Sequence, residues 1–153
     1  MTRRHPFNAV YDTGKELFLG TCDSRCVGGV GVLVNTSLSM NIDSFEQLTT
    51  RIRRLRLKRF GSTPALTIFV VYAPISNYDE EEVEAFYVDL EKFSSEDHMF
   101  LKVIIGDFNA KTGSRRSSEE RHTGTHGLEW NEQGERLSEF IMATKTIHGN
   151  SQF

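Results

Sequence analysis

Apolar and polar positions alternate with a period of two over residues 51 to 59, where Leu55 and Leu57 interleave with Arg54, Arg56 and Lys58. That period predicts a strand with one apolar and one cationic face. Leu66 to Ala73 is a continuous aliphatic, β-branched and aromatic run, which predicts a buried strand. Pro74 ends it, because proline has no N–H to give to a central ladder. Val83, Phe86, Tyr87, Leu90 and Phe93 then recur at helical spacing and predict a helix with one apolar face. Asn77, followed by Glu80, makes a capping-box pattern, and Asp79 to Glu82 put negative charge where the helix dipole favours it.

Val103-Ile104-Ile105 predicts a third strand, again buried, leading into Gly106-Asp107-Phe108-Asn109. Residues 111 to 130 are polar and predict a long loop, a feature often tied to function. Asn131 predicts the cap of a second helix with apolar positions Leu137, Phe140 and Ile141, and Gly134 weakens its first turn. Strand, helix and strand over residues 66 to 105 define an α/β class. Upstream, Val27-Gly28-Gly29-Val30-Gly31-Val32-Leu33-Val34 reads as a glycine-rich strand where another backbone or a ligand comes close. It lacks the Gly-Lys-Ser/Thr ending of a phosphate loop and the spacing of a dinucleotide fingerprint.

Composition narrows the class. The 153 residues suffice for one domain over 1–153 with a real core. Hydrophobic residues at 38% and charged residues at 25% are ordinary for a globular chain. No apolar run approaches the roughly 18 residues of a membrane span, and no secretory signal is evident. The expected location is therefore intracellular, nuclear or cytoplasmic. Cys22 and Cys26 fit two reduced cysteines better than a disulfide framework, a zinc site or a redox pair. Both ends are abrupt, and the expectation is a piece of a larger fold.

The net charge of −3 gives no bulk attraction to polyanions, yet the segment from Arg51 to Arg59 is strongly basic. An edge strand guarded by charge and a phosphate-backbone contact surface explain it about equally well.

Candidate chemistry lies at Asp107 and Asn109, just past the C-terminal end of a strand, where α/β proteins place ligands. A carboxylate there can bind a hard cation or orient a water, and a carboxamide two residues on can hold a phosphate oxygen. The same residues are also good turn formers. Tyr72 ends the neighbouring strand and would bring its hydroxyl near Asp107; its alternative is a core tyrosine. His122 and His126 read as loop residues, and no nucleophile elbow is present.

These segments occur in one order: Gly28 to Val34, Arg54-Leu55-Arg56-Leu57, Val71-Tyr72-Ala73-Pro74, Ile104 to Asn109, then Asn131-Glu132-Gln133-Gly134-Glu135-Arg136-Leu137. In that order they resemble the endonuclease/exonuclease/phosphatase superfamily, and more narrowly the apurinic-endonuclease-like domain of LINE (RTE-type) retrotransposons. Sequences of the craniofacial development protein 2 type are similar too. The resemblance implies an α/β, four-layer sandwich of two packed mixed sheets with helices outside, here incomplete. It also implies Mg²⁺-dependent hydrolysis of DNA phosphodiesters. Asp107 then resembles the aspartate that deprotonates the attacking water, Asn109 the asparagine that holds phosphate and water, and Tyr72 the tyrosine on the scissile phosphate. Arg54, Arg56, Lys58, Arg115 and Arg116 become candidate DNA-backbone contacts.

The family's metal-binding glutamate falls where this chain has Met1, and its closing aspartate and histidine have no counterpart before Phe153. The expectation is a partial site with no confident metal ligand, impaired as an enzyme. A retrotransposon-derived remnant that binds nucleic acid without catalysis is the alternative. A small phosphatase acting on inositol or nucleotide phosphates, and an unrelated small-molecule binder, rank below both. Neither a membrane nor a stable protein partner is expected.

Overall fold

The computed structural model describes residues 7–11, 15–19, 30–75, 79–99, 101–111, 131–147 and 149. The chain forms two compact units, the first from residues 1–72 and 97–106, the second from 73–96 and 107–153.

The first unit holds two sheets. Strands β1 (Phe7–Tyr11), β2 (Lys15–Leu19) and β3 (Gly31–Asn35) form an antiparallel sheet in that order. A four-residue helix, α1 (Thr36–Ser39), follows, capped by Asn35, whose Oδ1 accepts from Ser37 N at 3.1 Å. Strands β4 (Ile42–Gln47), β5 (Ile52–Leu57), β6 (Leu66–Tyr72) and β7 (Leu101–Asp107) form a mixed sheet in sequence order. β4 and β6 pair antiparallel with β5 on either side. Buried Val34 of β3 clusters with Leu55 and Leu57 of β5, and Ile42, Phe45, Leu66 and Ile68 pack against them, so the two sheets share a core. Alternation predicted this apolar face of β5.

The other face of β5 differs from expectation in two ways. β5 is hydrogen-bonded on both sides, so its charges do not guard an edge. Nor is that face open. Cross-strand register puts Ile52, Arg54 and Arg56 beside Val71, Phe69 and Thr67, which are 2%, 0% and 0% exposed. The arginines are balanced by acids instead. Arg54 lies opposite Glu46 in register and is ion-paired with it, and Arg56 meets Asp97.

β7 is longer than the predicted core of residues 103–105, and its burial is a correction. Leu101, Val103 and Ile105 are 38%, 42% and 46% exposed. Among the described residues β7 ends the strand order and pairs on one side, so apolar composition here marks an edge strand rather than a buried central one.

The second unit contains α2 (Glu80–Glu96) and α3 (Glu132–Thr144). Val83, Phe86, Tyr87 and Leu90 are buried on α2, and Leu137, Phe140 and Ile141 on α3, as helical spacing predicted. Phe93 is half-buried. The Tyr87 and Phe140 rings lie 5.8 Å apart, and the Arg136 guanidinium sits 5.5 Å above the Tyr87 ring. Arg136 is also ion-paired with Glu84 across the two helices. The expected cap at Asn77, the segment 112–130, both cysteines and Gly28–Gly29 lie outside the described residues.

Candidate functional site

The chain leaving β7 turns sharply, and local chemistry dictates the turn. Gly106 has φ +150°, and a Cβ there would sit 1.9 Å from the carbonyl oxygen of Val71, so only glycine permits this approach to β6. Asp107, exposed, comes next. Its Oδ1 accepts from the Asn109 N–H at 2.9 Å, an Asx-type turn. Asn109 has φ +50°, a left-handed conformation that asparagine tolerates better than most residues.

The turn is tied to the segment after β6. Ala73 N donates to the Asp107 carbonyl at 2.8 Å, and Asn109 Nδ2 donates to the Ala73 carbonyl at 2.8 Å. Asp107 and Asn109 therefore form one hydrogen-bonded group with the backbone of Ala73. The predicted turn is formed, and it fixes the Asp107 carboxylate in place. Among the described residues, Oδ2 of Asp107 has no hydrogen-bond partner.

Tyr72 lies in the first unit as the last residue of β6. It is half-buried, and its N–H donates to the Arg51 carbonyl at 3.0 Å. Lys58 is exposed just past β5, with its N–H on the Asn41 carbonyl at 2.8 Å. Arg54 and Arg56 are engaged with Glu46 and Asp97. Arg115, Arg116, His122 and His126 lie outside the described residues.

Two participants escaped the sequence reading. Asp97 is 1% exposed, yet it carries a charge and meets Arg56, Thr67 and the Met99 N–H. Its signal was an acid in Ser94-Ser95-Glu96-Asp97 after the helix, opposite an unexplained cationic strand. Asn131 is the predicted helix cap, and it also holds Lys111 and Asn109.

Among the described residues no group of three or more His, Cys, Asp or Glu side chains is placed to hold a metal ion. By themselves they do not fit a Mg²⁺ site. Among the same residues no helix is long and apolar enough to cross a membrane.

The structure thus defines a mixed α/β protein with a fixed carboxylate–carboxamide turn at the end of a strand. Over 127 residues, or 82% of its length, the chain is 34% identical to craniofacial development protein 2 of Bos taurus. It is 33% identical to craniofacial development protein 2 of Tragulus javanicus over the same length. The match takes in 21% of each relative, so the chain spans about a fifth of the length of these curated relatives. No family model matches the chain, and no solved structure matches it.

Proposed function

We propose that this chain carries the water-orienting part of a phosphodiester-hydrolysing site of the endonuclease/exonuclease/phosphatase type, with DNA as substrate. The supporting observation is the fixed carboxylate of Asp107, whose Oδ1 is held by Asn109 N–H while Oδ2 is open among the described residues. A carboxylate so held can take a proton from a water attacking phosphorus. Asn109 Nδ2 gives one hydrogen to Ala73 and keeps a second for a phosphate oxygen. Tyr72 resembles the family tyrosine on the scissile phosphate, and that role rests on the resemblance. Lys58, Arg115 and Arg116 supply backbone contacts, while Arg54 and Arg56 serve the fold. The four-layer sandwich belongs to the same proposal, and two sheets sharing a core are compatible with it.

A bound Mg²⁺ would neutralise charge on the pentavalent phosphate. The described residues by themselves do not fit the ion. The alternative reading is DNA binding without cleavage.

Nicking of supercoiled plasmid and of abasic duplex, with Mg²⁺ or with chelator, separates the two. Mg²⁺-dependent cleavage by the chain that is lost in Asp107→Ala supports hydrolysis. Salt-dependent DNA retention without cleavage supports binding alone. A chain that does neither sinks both readings.

A further inference from the structure

We infer that Asn131 is a positioning residue for the Asp107–Asn109 turn, beyond its role as a helix cap. Its Oδ1 accepts from two backbone N–H groups, Gly134 and Lys111, each at 2.8 Å. Its Nδ2 donates to the Asn109 carbonyl at 3.3 Å, and its own N–H donates to the Lys111 carbonyl at 3.2 Å. Asn131 and Lys111 therefore bond in both directions, and the start of α3 is fastened to the chain leaving the turn. All of these groups lie in the second unit.

A second feature serves the same clamp. A Cβ on Gly134 would lie 2.0 Å from the Lys111 carbonyl oxygen. The glycine that weakens the first turn of α3 is what lets Lys111 approach it. A helix cap alone requires neither this glycine nor an asparagine, since Ser, Thr or Asp also accepts from the first-turn N–H groups. A carboxamide accepts from two N–H groups on one atom and donates to the Asn109 carbonyl from another; a carboxylate has no donor, and a hydroxyl has a single oxygen on a shorter side chain. That carbonyl belongs to a residue in a left-handed conformation, which needs outside support to persist.

The chain of effect runs from Asn131 to Asn109, and from Asn109 N–H to the Asp107 carboxylate. The clamp stands on geometry; its consequence for catalysis rests on the hydrolase reading above.

Asn131→Ser keeps a cap but is too short for the clamp. Asn131→Asp keeps an acceptor for both N–H groups but replaces the donor to Asn109 with a charged oxygen that repels its carbonyl. In heteronuclear NMR of the whole chain, Asn131→Ser is expected to speed exchange of the Lys111 amide about fivefold or more, the effect of one lost hydrogen bond. It also shifts the Asn109 Cα and Cβ signals away from left-handed values. Asn131→Asp is expected to leave the Lys111 amide protected and move the Asn109 signals alone. In the nicking assay both variants lower kcat and leave KM for DNA unchanged. Unchanged Lys111 exchange and Asn109 signals in Asn131→Ser would overturn the inference. If the wild-type chain does not nick, the hydrolase reading fails while the NMR result still decides the positioning role.

Discussion

Arg56 meets the buried carboxylate of Asp97 with two nitrogens, Nε at 3.3 Å and Nη2 at 3.0 Å. Thr67 Oγ1 donates to the other oxygen at 3.2 Å, and Arg54 approaches at 3.6 Å. Burial pushes the Asp97 carboxyl up, but the Met99 N–H, Arg56 and Thr67 together hold it below the usual carboxylate range. A carboxyl depressed in the folded state adds stability above its unfolded pKa and loses it as pH falls through the folded value. Asp97→Asn is therefore expected to cost about 2–3 kcal/mol at neutral pH, since it removes the buried counter-charge of two partly buried arginines. The gap to wild type narrows as pH drops below roughly 4. Urea unfolding of both proteins from neutral to acid pH checks it, and a gap independent of pH would refute the linkage.

The same pair separates two kinds of cation on one strand. Arg56 is committed to the fold, whereas Lys58 is exposed beyond the end of β5. Lys58→Ala is expected to leave stability within about 0.5 kcal/mol of wild type. It should also lower the slope of log DNA affinity against log salt by about 1. Arg56→Ala should destabilise, and any loss of DNA binding should track unfolding. Fluorescence titrations over a salt series, paired with melts, distinguish the two. An equal change of slope in both variants would mean that Arg56 faces the nucleic acid.

Gly106 and Gly61 both have positive φ, and they offer a matched comparison. Nothing lies within 4 Å of a Cβ on Gly61, so Gly61→Ala carries backbone strain alone, about 1 kcal/mol. A Cβ on Gly106 collides with the Val71 carbonyl, which belongs to the hydrogen-bonded sheet and cannot swing aside. Gly106→Ala is expected to cost at least about 3 kcal/mol, strain and overpacking combined. Soluble yield and denaturant midpoints report both. Similar midpoints for the two variants would mean that β7 can shift away from β6.

What could be read beforehand follows from the range of each interaction. Period and run length placed β5, β6, α2 and α3 and named the buried residues Leu55, Val83, Phe86, Leu137 and Phe140, because burial of one face repeats within a few residues. The Asp107–Asn109 turn was visible because Asx turns are written in adjacent residues. Asp97 and Arg56 are 41 residues apart, and no local pattern signals a partner at that distance. The exposure of Val103 and Ile105 was hidden for the same reason: apolar composition describes a strand, and position in the sheet decides whether it is covered. Gly134 was misjudged by propensity, since the Lys111 carbonyl that requires it comes from outside the helix.

Tyr87 tests the helix pair by subtraction. Its ring is packed against Phe86 at 5.1 Å and Phe140 at 5.8 Å, while its hydroxyl is buried without a hydrogen-bond partner among the described residues. Burial pushes the phenol well above the ordinary tyrosine range, against the opposing pull of Arg136. An unpartnered hydroxyl carries a desolvation cost and returns no bond, so Tyr87→Phe removes the cost and keeps the ring. Arg136 still lies over an aromatic face, and its ion pair with Glu84 is untouched. Tyr87→Phe is expected to hold or raise stability by up to about 1 kcal/mol. A difference ultraviolet titration between the two proteins should show no tyrosinate step near 10 for Tyr87. A variant destabilised by more than about 1 kcal/mol would show instead that the hydroxyl has a partner in solution.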